Sequence, residues 1–224
     1  MSEKEKGTDA GPVTLRNILD EAGDEFLSWD RGLLGTVSGL CTRPAEVARA
    51  YLFERSRRYV RPLRYLVVSI ALSVLASWWV LDKQGMREHL GASTKAIWQG
   101  SLLLEHAAIF TLLVLPLVAG AMRLLFHGMR VRYVDALVVL AYSQAQVSLF
   151  EILAVAWLAA TGNSAADLPV SILVAAYLLW SWSSFAQGPG WRRWLAALLT
   201  LVAGQLINSV IVVLAIRLLG DSGN

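Results

Sequence analysis

Cysteine is almost absent: Cys41 stands alone, so the chain builds neither an intrachain disulfide nor a Cys-rich zinc site. Charge is scarce as well. Charged residues make up 17% of the chain, against about 25% in an ordinary soluble domain. That shortage excludes a soluble globular enzyme, and the apolar excess that accompanies it excludes a disordered chain. Strict period-2 alternation is missing, which removes the β-barrel. There is no His-Glu-x-x-His, no Gly-x-Ser-x-Gly and no phosphate-binding loop, so no catalytic template is met and no enzyme activity or cofactor is expected.

What the sequence has in excess is hydrocarbon. Of its 224 residues 56% are hydrophobic, and they come in blocks long enough to cross a bilayer, which takes roughly 20 predominantly apolar residues for about 30 Å of core. The blocks predict spans over 62–81, 101–126, 133–160, 168–185 and 194–219. Short connections at Thr161–Asn163 and Gln187–Gly190 carry the Gly, Asn and Pro of turns. The fold class is all-α: a polytopic transmembrane helical bundle of about five spans, preceded by amphipathic cytoplasmic helices. Because the first span lies behind a charged segment of about 60 residues, it is not a cleaved signal peptide.

Charge is concentrated at one end. Of the 37 Lys, Arg, Asp and Glu residues, 21 fall within the first 64 positions. Residues 1–12 read as a polar tail, residues 13–61 as cytoplasmic or interfacial helices, and residues 220–224 as a second tail. Thr14 caps a first helix in which Leu15, Ile18, Leu19, Ala22, Phe26 and Leu27 recur at helical spacing. Its other face carries Asp20, Glu21, Asp24 and Glu25, unlike the Lys-rich face of a membrane-surface helix, and suits docking on the protein itself or on a partner. A second helix is expected over Gly32–Leu40, and a third from Pro44 to about Arg58.

Arg55, Arg57, Arg58, Arg61 and Arg64 cluster before span one. They read either as a topogenic signal or as a site for anionic headgroups, at about 1 kcal/mol per basic residue. With Arg49, Arg123, Arg130, Arg132, Arg192 and Arg193 they place eleven basic residues on one side of the membrane. Only Lys83, Arg87, Lys95 and Arg217 fall on the other. The amino terminus is therefore expected in the cytoplasm and the carboxyl terminus outside. Lipid is a nearer partner for these arginines than nucleic acid.

One stretch carries a resemblance. Arg31-Gly32, Thr36, Arg43-Pro44, Tyr51-Leu52, Arg58-Tyr59-Val60, Pro62-Leu63 and Tyr65-Leu66 resemble the head of an uncharacterised bacterial membrane family catalogued as domain of unknown function 3667. The likeness is strongest over residues 30–70. It implies a handful of helices in the bacterial inner membrane, and no established activity. Many relatives begin with a Cys-rich zinc ribbon, which this chain lacks, so zinc is not carried over. Where the family usually carries Tyr-x-Glu-His, this chain has Tyr133-Val134-Asp135-Ala136.

Polar groups inside the spans are the remaining signal, because an ionisable residue there costs about 2.5–3.5 kcal/mol on insertion scales. Glu105 and His106 open span two near the outer surface. Glu151 lies deeper in span three, on a stripe with Gln144 and Ser148. Gln205 and Asn208 sit in span five, and Ser69, Ser73 and Ser77 recur in span one. Two readings stand: a polar chamber or proton-coupled pathway with Glu151 titrating and His106 beside it, or hydrogen-bonding glue between helices. A metal on Glu105, His106 and Glu151 is not expected, since adjacent helical residues point about 100° apart. Two functions lead: a non-catalytic accessory or scaffold acting through its cytoplasmic helices, or a small transporter or permeation subunit around Glu151. An intramembrane enzyme with Glu151 or His106 as base has no motif behind it and ranks last. Five spans are few for a carrier, and a homo-oligomer would supply the missing walls.

Overall fold

The computed structural model describes residues 32–54, 58–83, 107–161 and 167–221. The acidic helix expected around Leu15–Leu27, the residues Arg55 and Arg57, and the pair Glu105 and His106 lie outside the described residues. Within them every element is helical, and no strand occurs.

Two short helices form a head. α1 covers Gly32–Thr42 and α2 covers Pro44–Leu52, with Pro44 in the first turn where its missing N–H is harmless. The expectation that this helix runs to about Arg58 is corrected: it ends at Leu52. The cause lies downstream. The Val60 N–H donates to Thr36 Oγ1 at 2.9 Å, and the Val60 carbonyl accepts from the Tyr142 hydroxyl at 2.7 Å. Those two bonds pin the chain in a non-helical connection, and Arg61, preceding a proline, is itself disfavoured in the helical region.

Five long helices follow: α3 (Pro62–Lys83), α4 (Ala107–Leu125), α5 (Tyr133–Thr161), α6 (Asp167–Phe185) and α7 (Gly190–Asp221). α3, α5, α6 and α7 are long and apolar enough to cross a membrane, and Thr111–Leu125 within α4 is a shorter apolar helix. Local chemistry sets the ends. α5 begins where Asp135 accepts the Arg132 backbone N–H at 3.0 Å, closing the reciprocal half of a capping box. α7 begins four residues before the expected Trp194, because the Pro189 carbonyl already accepts the Arg193 N–H at 3.2 Å.

α5 is the axis of the bundle: its apolar stretch is 56% buried, whereas that of α7 is 11% buried. α3 packs on α5, α4 on α5 and α7, and α6 on α5 and α7. α2 seats on α5 and α6. Leu195, Leu198, Val202, Leu206, Val210 and Val213 are exposed on α7. A soluble monomer does not present an apolar surface of that extent, and a bilayer covers it.

Candidate intramembrane polar site

α5 carries two polar faces with different fates. On one, Gln146 and Ser143 are buried and fully engaged. The Tyr65 hydroxyl donates to Gln146 Oε1 at 2.7 Å, and Gln146 Nε2 donates to the Cys41 sulfur at 3.2 Å. Trp182 Nε1–H donates to Ser143 Oγ at 3.0 Å, and that hydroxyl passes its own proton to the Val139 carbonyl at 2.9 Å. This face is glue, binding α1, α3 and α6 to α5. Burial also pushes the Cys41 thiol above its ordinary range.

The other face opens onto space. Leu140, Gln144, Val147 and Glu151, at successive helical steps, line a cavity of ≈ 290 Å³ between α4, α5, α6 and α7. α7 contributes Gly204, Gln205 and Asn208 to the same cavity, and α4 contributes Thr111, Val114, Leu115 and Val118. Gly204 is where α7 comes close to α4: a Cβ there would lie 3.6 Å from Val118. Among the described residues no hydrogen bond or ion pair reaches the Glu151 carboxyl or the side-chain amides of Gln144, Gln205 and Asn208. Glu151, Gln205 and Asn208 are exposed along the opening.

Four of the six residues expected at an intramembrane site are thus brought to one cavity, and Glu105 and His106 lie outside the described residues. Ser148, expected on the same stripe, is buried away from it. Ser77 donates to the Ser73 carbonyl of its own helix at 2.9 Å. No group of three or more metal-ligating side chains occurs among the described residues.

The arginines fall at the head end. Arg61, immediately before α3, and Arg64, in its first turn, are exposed, and the Arg58 guanidinium lies 5.6 Å from the centre of the Tyr59 ring. Arg49, read only as part of the charge count, reaches from α2 to the Phe185 carbonyl at 3.0 Å and the Ser184 carbonyl at 3.3 Å. There it caps the negative end of α6. Gln146 and Arg49 are the residues that sequence reasoning missed. The signal for Gln146 is its i, i+4 pairing with Tyr142, each directly after a small residue, Ala141 and Ala145.

These features define an all-helical protein of the membrane class, with a docked helical head and a partly polar interior. Residues 30–74 match the family model described as "Protein of unknown function (DUF3667)", the stretch on which the sequence resemblance rests. No curated protein and no solved structure matches the chain. The matched stretch has a structural meaning here. Thr36, Tyr51, Val60, Pro62, Tyr65 and Leu66 form the seam between head and bundle: the Tyr51 and Tyr65 rings pack 6.3 and 6.2 Å from Tyr142, and Leu66 is fully buried.

Proposed function

We propose that the protein is a non-catalytic transporter or permeation subunit of the bacterial inner membrane, whose cavity holds a cationic or hydrogen-bond-donating solute. The observation that carries this is the shared cavity of Glu151, Gln144, Gln205 and Asn208, with no partner among the described residues for any of them. Helix glue satisfies its own polar groups, as Gln146 and Ser143 do. Four polar groups that converge on one space, with no partner among the described residues, are open to water or a ligand. Glu151 supplies the charge, and the three amides supply donors and acceptors.

The scaffold reading has less behind it. α1 and α2 bury Leu40, Val47 and Ala48 on the protein itself and leave Leu34 and Phe53 exposed, while the acidic helix that motivated the scaffold lies outside the described residues. The test is flux. Full-length protein goes into liposomes carrying a trapped pH dye, and a potential is imposed. Wild type dissipates a proton gradient faster than protein-free vesicles, and Glu151→Gln returns the rate to that of empty vesicles. Equal rates for wild type, variant and empty vesicles overturn the proposal.

A further inference from the structure

The polar cavity has a second chamber. Glu151, Gln205, Val174, Leu178 and Leu201 also line a crevice of ≈ 480 Å³ that runs between α6 and α7. Its remaining walls are Val170, Ser171, Ala175, Val202 and Leu206, so away from Glu151 and Gln205 it is apolar with one hydroxyl. Both helices bounding it turn exposed apolar residues outward, Ile172 and Leu173 from α6 and Val202 and Leu206 from α7. The crevice thus opens sideways toward the bilayer, not along the axis of the bundle. Its volume lies within the roughly 300–1,000 Å³ of small-molecule sites.

We infer that the site takes an amphiphile bearing a protonated amine, with the amine against Glu151 and the hydrocarbon chain in the crevice between α6 and α7. The inference rests on the pathway reading of Glu151. Charge complementarity selects the head. Among the described residues lining either chamber Glu151 is the only ionisable one, so an anionic headgroup would meet an unpaired carboxylate and no cation. An ammonium pairs with that carboxylate, and its further donors reach the amide carbonyls of Gln205 and Asn208. The geometry selects the tail. A solute small enough to fit the polar chamber has no use for an apolar annex that opens on lipid, whereas a chain-bearing amine arrives through it without leaving the hydrocarbon.

The experiment reads occupancy at Glu151 itself. Full-length protein in detergent micelles is treated with dicyclohexylcarbodiimide, an apolar reagent that labels accessible protonated carboxyls, and modification of Glu151 is followed by peptide mass spectrometry. Hexadecylamine is expected to slow labelling at least tenfold at concentrations where methylamine, hexadecanol and hexadecanoate change it less than twofold. Ala175→Trp, which fills the crevice, removes the hexadecylamine effect and leaves Glu151 reactive. Val202→Phe does the same should the tryptophan variant fail to fold. Equal protection by methylamine and hexadecylamine overturns the amphiphile but leaves the polar site standing. Equal protection by hexadecanol and hexadecylamine overturns the amine. Labelling that no amine slows, or a Glu151 that never labels, overturns this inference and the pathway reading together.

Discussion

The Tyr65 hydroxyl donates to Gln146 Oε1 at 2.7 Å while the nitrogen of the same amide turns to the Cys41 sulfur at 3.2 Å. One buried side chain thus ties α3, α5 and α1 together. Tyr65→Phe removes a bond worth about 0.6 kcal/mol on average between membrane helices. Gln146→Leu strands the Tyr65 hydroxyl in the core, which costs about 1–3 kcal/mol. The double variant is expected to lose less than the sum of the two singles. Titration with a denaturing detergent, followed by tryptophan fluorescence, measures this. Strict additivity would show that the two groups do not act as a pair.

Glu151 is expected to behave in the opposite way. Its carboxyl has no described partner, so Glu151→Leu removes a group that the membrane disfavours and keeps or raises the melting temperature by a few degrees. Flux should vanish in the same variant. A loss of stability comparable to that of Gln146→Leu would make Glu151 a structural residue.

Arg49 holds the head to the end of α6 through the Ser184 and Phe185 carbonyls, with its guanidinium 5.7 Å from the centre of the Phe185 ring. Arg49→Ala loses charge-assisted hydrogen bonds worth about 1.5–3 kcal/mol, and Arg49→Lys recovers only part, because an ammonium can reach the carbonyls but lacks the flat guanidinium that lies over the Phe185 ring. Limited proteolysis should cut within α1–α2 faster in the alanine variant and at an intermediate rate in the lysine variant. Equal cutting in all three forms would show that Arg49 does not secure the head.

Two glycines one turn apart in α1 separate packing from propensity. A Cβ at Gly39 would lie 2.9 Å from Val47 and 3.2 Å from Tyr59, whereas one at Gly35 meets nothing within 4 Å. Gly39→Ala is expected to destabilise by about 1–3 kcal/mol through overpacking. Gly35→Ala stabilises by about 0.5–1 kcal/mol, since helical glycine is entropically costly. Thermal melting of both variants in one detergent decides it, and identical shifts would refute the close contact at Gly39.

Helix positions were legible because long hydrophobic runs mark apolar helices, and Pro62, Tyr133 and Phe185 bound helices where the runs end. Four residues that line one cavity, Glu151, Gln144, Gln205 and Asn208, were also conspicuous in apolar surroundings. Their roles were less so. Gln144 and Gln146 differ by two positions, which on a helix is about 200° of rotation. Composition therefore treats them alike, while one faces a cavity and the other a tyrosine. The end of α2 was misread for a related reason: it is set by Val60 bonding to Thr36 and Tyr142, and Tyr142 lies 82 residues further along the chain.

The anchor of the head also has a consequence for synthesis. Arg49 and its acceptor Phe185 are 136 residues apart, and the chain emerges from its amino end. Until α6 has been made, the head lacks the Arg49 anchor and the part of its seat that α6 supplies. Head docking through Arg49 therefore reports that the chain has been made at least through α6. A chain terminated before α6 displays an incompletely docked head, the kind of exposed apolar segment on which cellular proteases and chaperones act.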